Sequence, residues 1–463
     1  MKRGSIIDAL RDALGPEKVL TGPADLLAAS HDESDMKPEK PVCVCRPSCA
    51  KDAVAIVRAA LEHGVPVTAR GAGTSLEGSS IPTPNAVVVD FSTMDQVIES
   101  VPEEQRVTVG PGIVYDRLNR LLRQSGLFFP PSPGGSADVA TIGGMVSTNA
   151  SGIYALKYGG TRRWVSALEV VTGRGDLMRV GTVVPKTTAG FDLKDLFVGA
   201  EGCLGLITGI TLRLAPVPHA SRKGGFLFPD VAAACAAASE MAAYIPEMAA
   251  LELTDADTMD LLRAIPSFAS LPKGHALFIE VHGRAEDCEE GFAAAEDVAG
   301  EHLGIQLPDE IPDPWELRHR MTGVIREAAQ PDGVVRTDCA VPLLSLPGFV
   351  SDAKKRAMQT GRGMYVFGHV GLGILHFLMP LGGTGAWSKD EALREKARLG
   401  LAAVEAGGTV SGEHGIGLGN REILGAEHPV GIEYMRAIKS YFDPANLMNP
   451  DKVVIADGRH PRR

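Results

Sequence analysis

Apolar and polar positions alternate along roughly the first two hundred residues in a way that predicts helices and strands in turn. Residues 51–63 carry apolar side chains at helical spacing, and residues 64–68 begin a strand. The apolar run at 86–90 predicts a second, buried strand. Residues 1–15 place charges between apolar positions, which is typical of a surface helix and not of a signal peptide.

The second half of the chain mixes the same two kinds of element. Alanine-rich stretches at 231–243 and 389–406 predict helices that can pack closely on a sheet, and residues 276–281 predict a strand between them. With 463 residues, the chain is too long for one hydrophobic core and predicts two or three domains.

Charge and hydropathy narrow the classes of partner. Forty-six basic and 57 acidic residues give a net charge of −11, which argues against a nucleic-acid surface. An anionic substrate would therefore need a local arginine cluster. No apolar run is long enough to span a membrane, so we expect a cytoplasmic protein.

The seven cysteines are scattered, and without a secretory signal they do not predict a disulfide framework. Cys43, Cys45 and Cys49 cluster, but their spacing matches no zinc or iron–sulfur ligand set, so we interpret them as small buried residues. An iron–sulfur cluster that takes part in the chemistry would lie on another chain.

Two histidine-containing segments carry the most specific chemistry. Residues 368–376 read Gly-His-Val-Gly-Leu-Gly-Ile-Leu-His, and residues 411–417 read Ser-Gly-Glu-His-Gly-Ile-Gly. The glycines disfavour a helix, and on an unbroken strand residues seven apart point to opposite faces, so the first segment must bend. Two imidazoles and one carboxylate then predict a three-ligand divalent-metal site with a position open for substrate. The alternative is that the histidines are hydrogen-bonded core residues.

Three glycine-rich connections predict one large cofactor. The first, at 70–78, lacks the third glycine and the following helix of a dinucleotide-binding Rossmann motif, so NAD is not supported. Its backbone N–H groups can still cradle a diphosphate; taken alone, it is equally well a surface loop. Stretches at 129–152 and 190–208 add glycines that allow close approach to a ligand.

Six motifs in order resemble those of the flavoproteins of the vanillyl-alcohol oxidase type, in the branch of glycolate oxidase flavin subunits, D-lactate dehydrogenases and D-2-hydroxyglutarate dehydrogenases. The motifs, from residue 37 onwards, are Pro66–Ser75, Ala140–Gly144, Lys157–Gly159, Gly199–Gly202, Ser411–Gly417 and Asn449–Lys452. The resemblance implies an α+β fold, in which a two-lobed FAD-binding domain at 37–218 follows an N-terminal helical segment at 1–36. An α+β cap domain at 219–405 and a helical C-terminal segment at 406–463 complete it, and this last segment would return to the flavin.

The resemblance also implies non-covalent FAD, because relatives that tether the cofactor here use a histidine near the position of Thr74. The implied cofactor-binding residues are Arg70, Gly71, Ala72, Gly73, Thr74, Ser75, Pro131, Ser132, Gly135, Ser136, Thr141, Gly144, Asn149, Gly152, Glu201, Gly202, Gly205 and Ile207.

By the same resemblance, His369, His376 and Glu413 are ligands of a metal, expected to be zinc, and His414 is the base. The substrate would be an anionic D-2-hydroxy acid, which would chelate the metal, lose its hydroxyl proton to His414 and pass a hydride to flavin N5. Arg318 and Arg336 are similar to positions that pair with substrate carboxylates. Electrons would leave to a quinone, an electron-transfer flavoprotein, a partner iron–sulfur subunit or oxygen.

One departure separates this chain from the family pattern. Leu372 and Ile374 stand where relatives usually carry Asp and Asn, which predicts weaker metal binding or activity, or a more apolar substrate. Ser132, where relatives often have Asp, is a smaller departure. A non-catalytic flavin-binding subunit and a flavin-dependent transferase of the same fold are the alternative functions.

Overall fold

The computed structural model of the protein describes residues 5–307 and 313–455. The α-helices are α1 Ile6–Leu14, α2 Pro23–Ala28, α3 Ala50–His63, α4 Tyr115–Leu122, α5 Ile142–Thr148, α6 Ala155–Tyr158, α7 Thr161–Trp164, α8 Lys194–Phe197, α9 Val231–Tyr244, α10 Ala256–Arg263, α11 Ala285–Glu301, α12 Pro314–Ala328, α13 Leu346–Gln359, α14 Lys389–Glu405, α15 Arg421–Glu427 and α16 Gly431–Phe442.

The strands are β1 Val19–Leu20, β2 Cys43–Cys45, β3 Val67–Arg70, β4 Val87–Asp90, β5 Val97–Val101, β6 Arg106–Val109, β7 Leu127–Phe128, β8 Val165–Thr172, β9 Leu177–Gly181, β10 Gly205–Arg213, β11 Ala215–Pro216, β12 Ala220–Phe228, β13 Met248–Thr254, β14 His275–Gly283, β15 Ile305–Gln306, β16 Val334–Ala340, β17 Tyr365–Gly368 and β18 Ile374–Pro380. Sheets and helices together confirm the predicted α+β class.

Two compact units divide the chain, and neither is continuous in sequence. Unit 1 comprises the described parts of Met1–Ala150, Gly160–Val217 and His414–Arg463. Unit 2 comprises the described parts of Ser151–Gly159 and Pro218–Glu413. The domain boundaries expected from the sequence stay predictions.

Unit 1 contains a four-stranded sheet in the order β1-β2-β4-β3, with β2, β4 and β3 parallel. Helix α3 packs its apolar face on this sheet and ends at Gly64, which adopts the left-handed conformation (φ 65°) that glycine accepts without a Cβ penalty. The predicted helix at 51–63 and the strand at 86–90 are therefore confirmed. A second, antiparallel sheet in the order β5-β6-β10-β8-β9 forms its own core with α4 and α5.

The carboxyl-terminal part of the chain completes unit 1. Met448 forms a parallel bridge with Val67. The amide of Asn449 donates to the carbonyl oxygens of Ser79 (2.9 Å) and Glu201 (2.7 Å), and Lys452 is fully buried. Helices α15 and α16 fit the predicted helical tail, of which residues 456–463 lie outside the described part.

Unit 2 is built on a seven-stranded antiparallel sheet in the order β15-β12-β14-β13-β17-β18-β16. Helices α9, α11, α13 and α14 cover one face, and α10 and α12 cover the other. Helices α9 and α14 and strand β14 confirm the elements predicted for this half. Along β13 successive side chains point to opposite faces, so Leu251 and Leu253 enter one core while Glu252 faces the other side.

Some predictions for the surface need correction. Cys43 and Cys45 are buried in β2 as expected, but Cys49 is exposed, because it lies at the N-terminal cap of α3 where the chain turns at the surface. The predicted amino-terminal helix spans Ile6–Leu14, and residues 1–4 lie outside the described part. Among the described residues, no helix combines the length and the hydropathy that crossing a bilayer requires.

Candidate active site

The bend predicted between the two histidines is present. His369 follows β17 and begins a short turn, Val370–Leu372, after which Gly373 (φ 71°) reverses the chain into β18. His376 is the third residue of β18. Gly373 has no room for a side chain, because an added Cβ would lie 2.1 Å from the carbonyl oxygen of Val341. The bend therefore depends on glycine in both conformation and space.

The bend brings both imidazoles to the Glu413 carboxylate. Oε1 of Glu413 lies 3.0 Å from Nε2 of His369 and 3.4 Å from Nε2 of His376. The two rings are nearly perpendicular, with centroids 5.5 Å apart. One ligand atom from each of the three residues lies within 4.8 Å of the others, so the structure brings together all three predicted metal ligands.

The other oxygen of Glu413 is fixed by the protein. Oε2 accepts hydrogen bonds from Ser151 Oγ and from the Gly152 N–H, both at 2.9 Å. The backbone N–H of Glu413 donates to Asp338 on β16 (2.6 Å). These three bonds orient the carboxylate so that Oε1 faces the histidines. Gly152, predicted to contact the cofactor, has its N–H engaged here.

His369 is oriented from the opposite side by a residue that the sequence did not reveal. Its Nδ1 lies 2.5 Å from Oε1 of Glu252, which is fully buried on β13. Oε2 of Glu252 accepts a hydrogen bond from Nε of Arg318 (2.6 Å), whose guanidinium lies 4.8 Å above the Phe367 ring. The sequence did offer one signal: Glu252 is the acidic residue of a mostly apolar strand, and a buried carboxylate requires a partner.

The carboxylates of Glu252 and Glu413 favour a positive charge at the position of His369. Burial lowers the pKa of His369, but Glu252 and Glu413 outweigh it and raise the pKa to about 10. Burial raises the pKa of Glu252, but His369 and Arg318 outweigh it and hold the pKa of this carboxyl below its usual value. Two converging imidazole nitrogens and a carboxylate oxygen, with a carboxylate behind one imidazole, are a donor set that fits a divalent metal ion.

The two predicted substrate arginines lie in different surroundings. Arg318, on α12, is mostly buried and holds Glu252. Arg336 is buried on β16, where Asp338 pairs with His376 and Arg336 with Leu378 of β18. Directly opposite residues of antiparallel strands share a face, so Arg336 lies on the same face of the sheet as His376.

In unit 1, the first predicted flavin loop follows β3. Arg70 donates from Nη1 to the carbonyl of His31 (2.7 Å). Among the described residues, the backbone N–H groups of Ala72, Gly73 and Thr74 donate to no acceptor, and all three residues are accessible to solvent. A run of N–H groups available for an anion fits the diphosphate of FAD.

The second loop approaches the first. An added Cβ on Gly71 would lie 2.3 Å from the Thr141 hydroxyl, which caps α5 by accepting from the Gly144 N–H (3.2 Å). Asn149 ends α5 in the left-handed conformation (φ 53°) and accepts from the Arg162 N–H (2.9 Å). The remaining predicted residues of these two loops are Ser75, which bonds Ser79, buried Pro131 and Ser132, exposed Gly135 and half-buried Ser136.

Glu201 holds the loop that carries His414. Its fully buried carboxylate accepts from Ser79 Oγ (2.5 Å) and from the N–H groups of Ile416 (2.7 Å) and Gly417 (2.9 Å). His414 itself is half-buried at the start of this segment. Of the remaining predicted cofactor residues, Gly202 (φ 74°) follows Glu201, and Gly205 and Ile207 lie on β10. The cofactor roles of all these residues stay predictions.

Comparison with known proteins defines the class. Residues 41–181 match the family described as FAD binding domain, and residues 217–453 match that described as FAD linked oxidases, C-terminal domain. The chain is 32% identical over 453 residues to glycolate oxidase subunit GlcD of Bacillus subtilis (strain 168), covering 96% of each chain. It is 33% identical over 460 residues to a probable mitochondrial D-lactate dehydrogenase of Danio rerio, covering 97% of this chain and 91% of that one.

A solved structure shows the same fold. The crystal structure of p-cresol methylhydroxylase with substrate bound matches with a TM-score of 0.80 at 17% identity, over 98% of this chain and 97% of that one. Fold and matched domains together define an FAD-binding oxidoreductase. The chain belongs to the FAD-linked oxidase family, in the branch of the two relatives above, as the resemblance of its motifs predicted.

Proposed function

We propose that this enzyme oxidises a D-2-hydroxy acid to the 2-oxo acid with FAD as the first electron acceptor and with a divalent metal, zinc, at the substrate. The observation that carries the proposal is the convergence of His369 and His376 on Oε1 of Glu413. The names of the two relatives support the substrate class, because glycolate and lactate are both 2-hydroxy acids.

His369, His376 and Glu413 would hold the metal. When bound, it supplies a Lewis acid that lowers the pKa of the substrate hydroxyl. Glu413 is held on its far oxygen by Ser151 and Gly152, so its other oxygen stays directed at the two imidazoles. Imidazole nitrogens and carboxylate oxygens suit zinc, and three protein ligands leave a coordination position for substrate.

His414 would accept the hydroxyl proton. It adjoins Glu413 in the chain. The loop that carries it is fixed by hydrogen bonds from the N–H groups of Ile416 and Gly417, two and three residues further on, to the Glu201 carboxylate. FAD, when bound, supplies the acceptor for the hydride that leaves the substrate Cα. The N–H groups of residues 72–74 would hold its diphosphate without a covalent tether, since Thr74 stands where tethered relatives carry a histidine. Acid precipitation should then release all of the flavin into solution.

Arg336 is the arginine that we propose to pair with the substrate carboxylate. It is buried on the sheet face that also carries His376, and its planar fork suits a bidentate contact. Arg318 has its Nε directed at Glu252, and its predicted contact with substrate stays a prediction.

Anaerobic flavin bleaching tests this function. The purified, metal-assayed protein is mixed with D-lactate, glycolate, D-2-hydroxyglutarate or a bulkier, apolar D-2-hydroxy acid, and flavin absorbance is followed. We expect rapid bleaching by one of them, lost after chelation and in His414→Ala and Glu413→Gln. His302→Ala is the matched control, since His302 pairs with Glu240 (2.9 Å) away from the three ligands.

A protein that holds FAD but no metal, and that no hydroxy acid bleaches, would refute the proposal and favour a non-catalytic subunit or a transferase. If bleaching occurs, the acceptor follows from which oxidant restores the absorbance of the reduced flavin: a quinone, an electron-transfer flavoprotein, an iron–sulfur protein or oxygen.

A further inference from the structure

Glu252 and Arg318 form a buried pair that ends on His369, and we propose that this pair positions His369 for metal binding. Glu252 is a positioning residue that sets the ring orientation and the tautomer of His369, and Arg318 holds Glu252 in place. The proposal rests on the proposed function only in that it needs a metal at His369, His376 and Glu413.

Both oxygens of Glu252 are committed, one to each neighbour. Oε1 contacts Nδ1 of His369 (2.5 Å), and Oε2 accepts from Nε of Arg318 (2.6 Å). The carboxylate is fully buried, so water does not compete for it. With both oxygens fixed, the position of the carboxylate is determined by β13 at one end and by α12 at the other.

The ring of His369 has one productive arrangement in this setting. A carboxylate at Nδ1 makes that nitrogen a donor, so Nε2, on the side of Glu413, is the nitrogen that would bind a metal in exchange for its proton. Flipping the ring would place the carbon Cδ2 at Glu252 in place of Nδ1 and so leave a buried carboxylate without its donor. The preferred tautomer is therefore the one that binds a metal through Nε2.

The position of Arg318 is itself restrained. Its guanidinium lies 4.8 Å above the ring of Phe367, and Phe367 pairs directly with His376 across β17 and β18. Arg318, Glu252 and His369 thus form one continuous chain of contacts. Phe367 also makes an edge contact with His376 (centroids 5.4 Å apart), so both histidine ligands are supported by the same group of side chains.

Metal affinity tests the proposal directly. FAD-loaded, metal-free protein is titrated with Zn²⁺ against a chromophoric chelator, and the same proteins are loaded with Co²⁺ for visible absorption spectra. Relative to the unaltered protein, we expect Glu252→Ala to weaken zinc binding by about 10–100-fold and to change the Co²⁺ spectrum. Glu252→Gln keeps the shape and an acceptor at Nδ1, so we expect a smaller loss.

Glu280→Gln is the matched control. Glu280 is a buried carboxylate on the neighbouring strand β14 and shares the sheet face of Glu252, because it pairs with Ala250 while Glu252 pairs with Phe278. It contacts His282 (2.8 Å) and not a predicted ligand. A loss that reflected only the removal of a buried charge would appear in this variant too, whereas a positioning role predicts unchanged zinc affinity here.

Arg318→Gln separates the two roles considered for Arg318. If it positions Glu252, the variant weakens zinc binding, and its effect is not additive with that of Glu252→Gln. Unchanged zinc affinity with a raised KM for the hydroxy acid would instead assign it to substrate and overturn its part of the proposal.

The two proposals fail differently. Wild-type zinc affinity in Glu252→Gln and Glu252→Ala, both retaining FAD, would overturn the positioning role while leaving the metal site intact. If the unaltered protein binds no zinc, or if His376→Ala binds it equally well, the metal site is refuted and the positioning role with it.

Discussion

Gly373→Ala tests whether the bend between His369 and His376 is built on the absence of a side chain. Two separate costs follow from the structure. Gly373 has a φ of 71°, a region in which an alanine is less stable by about 1–2 kcal/mol. The added Cβ would also lie 2.1 Å from the carbonyl oxygen of Val341. The backbone at Val341 cannot move away freely, because its N–H donates to the Gly373 carbonyl (3.1 Å).

Relief of such a contact costs roughly 1–3 kcal/mol in mutant series, so the total is about 2–5 kcal/mol. At roughly 2–4 °C per kcal/mol, the midpoint of thermal unfolding should fall by roughly 4–20 °C. Zinc affinity should fall as well, because the shift separates His369 from His376.

Gly361→Ala is the matched control for this prediction. Gly361 has nearly the same φ, 68°, but an added Cβ there meets nothing within 4 Å. It should therefore lose only the conformational part, about 1–2 kcal/mol, and keep its zinc affinity. Equal loss of stability in the two variants, or unaltered zinc binding in Gly373→Ala, would refute the reasoning.

Three further predictions concern other parts of the molecule. Asn119 fixes Phe129 through paired bonds to its N–H (2.8 Å) and carbonyl (3.2 Å), so Asn119→Leu should destabilise unit 1 by about 1–3 kcal/mol and weaken FAD binding. Fluorescence titration with FAD checks this, and unchanged affinity would contradict it. Burial lowers the pKa of Lys452 from 10.5 to about 8. Between these two pH values the unfolded chain holds a proton that the folded protein has released, so the contribution of Lys452 to the free energy of unfolding rises with pH. The unfolding free energy of the unaltered protein minus that of Lys452→Met should therefore increase by about 1.6 kcal/mol from pH 8 to pH 9.5, and a constant difference would contradict the shift. Zinc at 100 times its Kd should stabilise the protein by about 2.7 kcal/mol, so adding a chelator should lower the unfolding temperature of the unaltered protein but not that of His376→Ala. An equal fall in the unfolding temperature of both proteins would mean that the chelator acts elsewhere.

Much of the fold could be predicted from local sequence patterns. Helix α3 and strand β14 were predictable because their periodicity matches the face that they bury. The bend at Gly373 was predictable too, because seven residues with interspersed glycines cannot place two histidines on one side of a strand.

Long-range partners were not predictable in the same way. Glu252 lies 117 residues from His369, and no local pattern joins the two. Glu201 was expected at the cofactor because it lies in a motif, yet its carboxylate contacts Ile416 and Gly417, more than two hundred residues away. A motif indicates that a residue matters, whereas the partner of its side chain depends on the sheet register and on which loops meet.

The discontinuity of unit 1 sets an order for folding during synthesis. All of unit 2 lies before residue 414, so its sheet can close while the chain is still being translated. Unit 1 cannot be complete before Met448, Asn449 and Lys452 are made, because these residues cover β3 and fill buried positions beside Ser79. The part of the protein that is made first is therefore the part that is finished last, and its glycine loops reach their final form only after His369 and His376 have reached theirs.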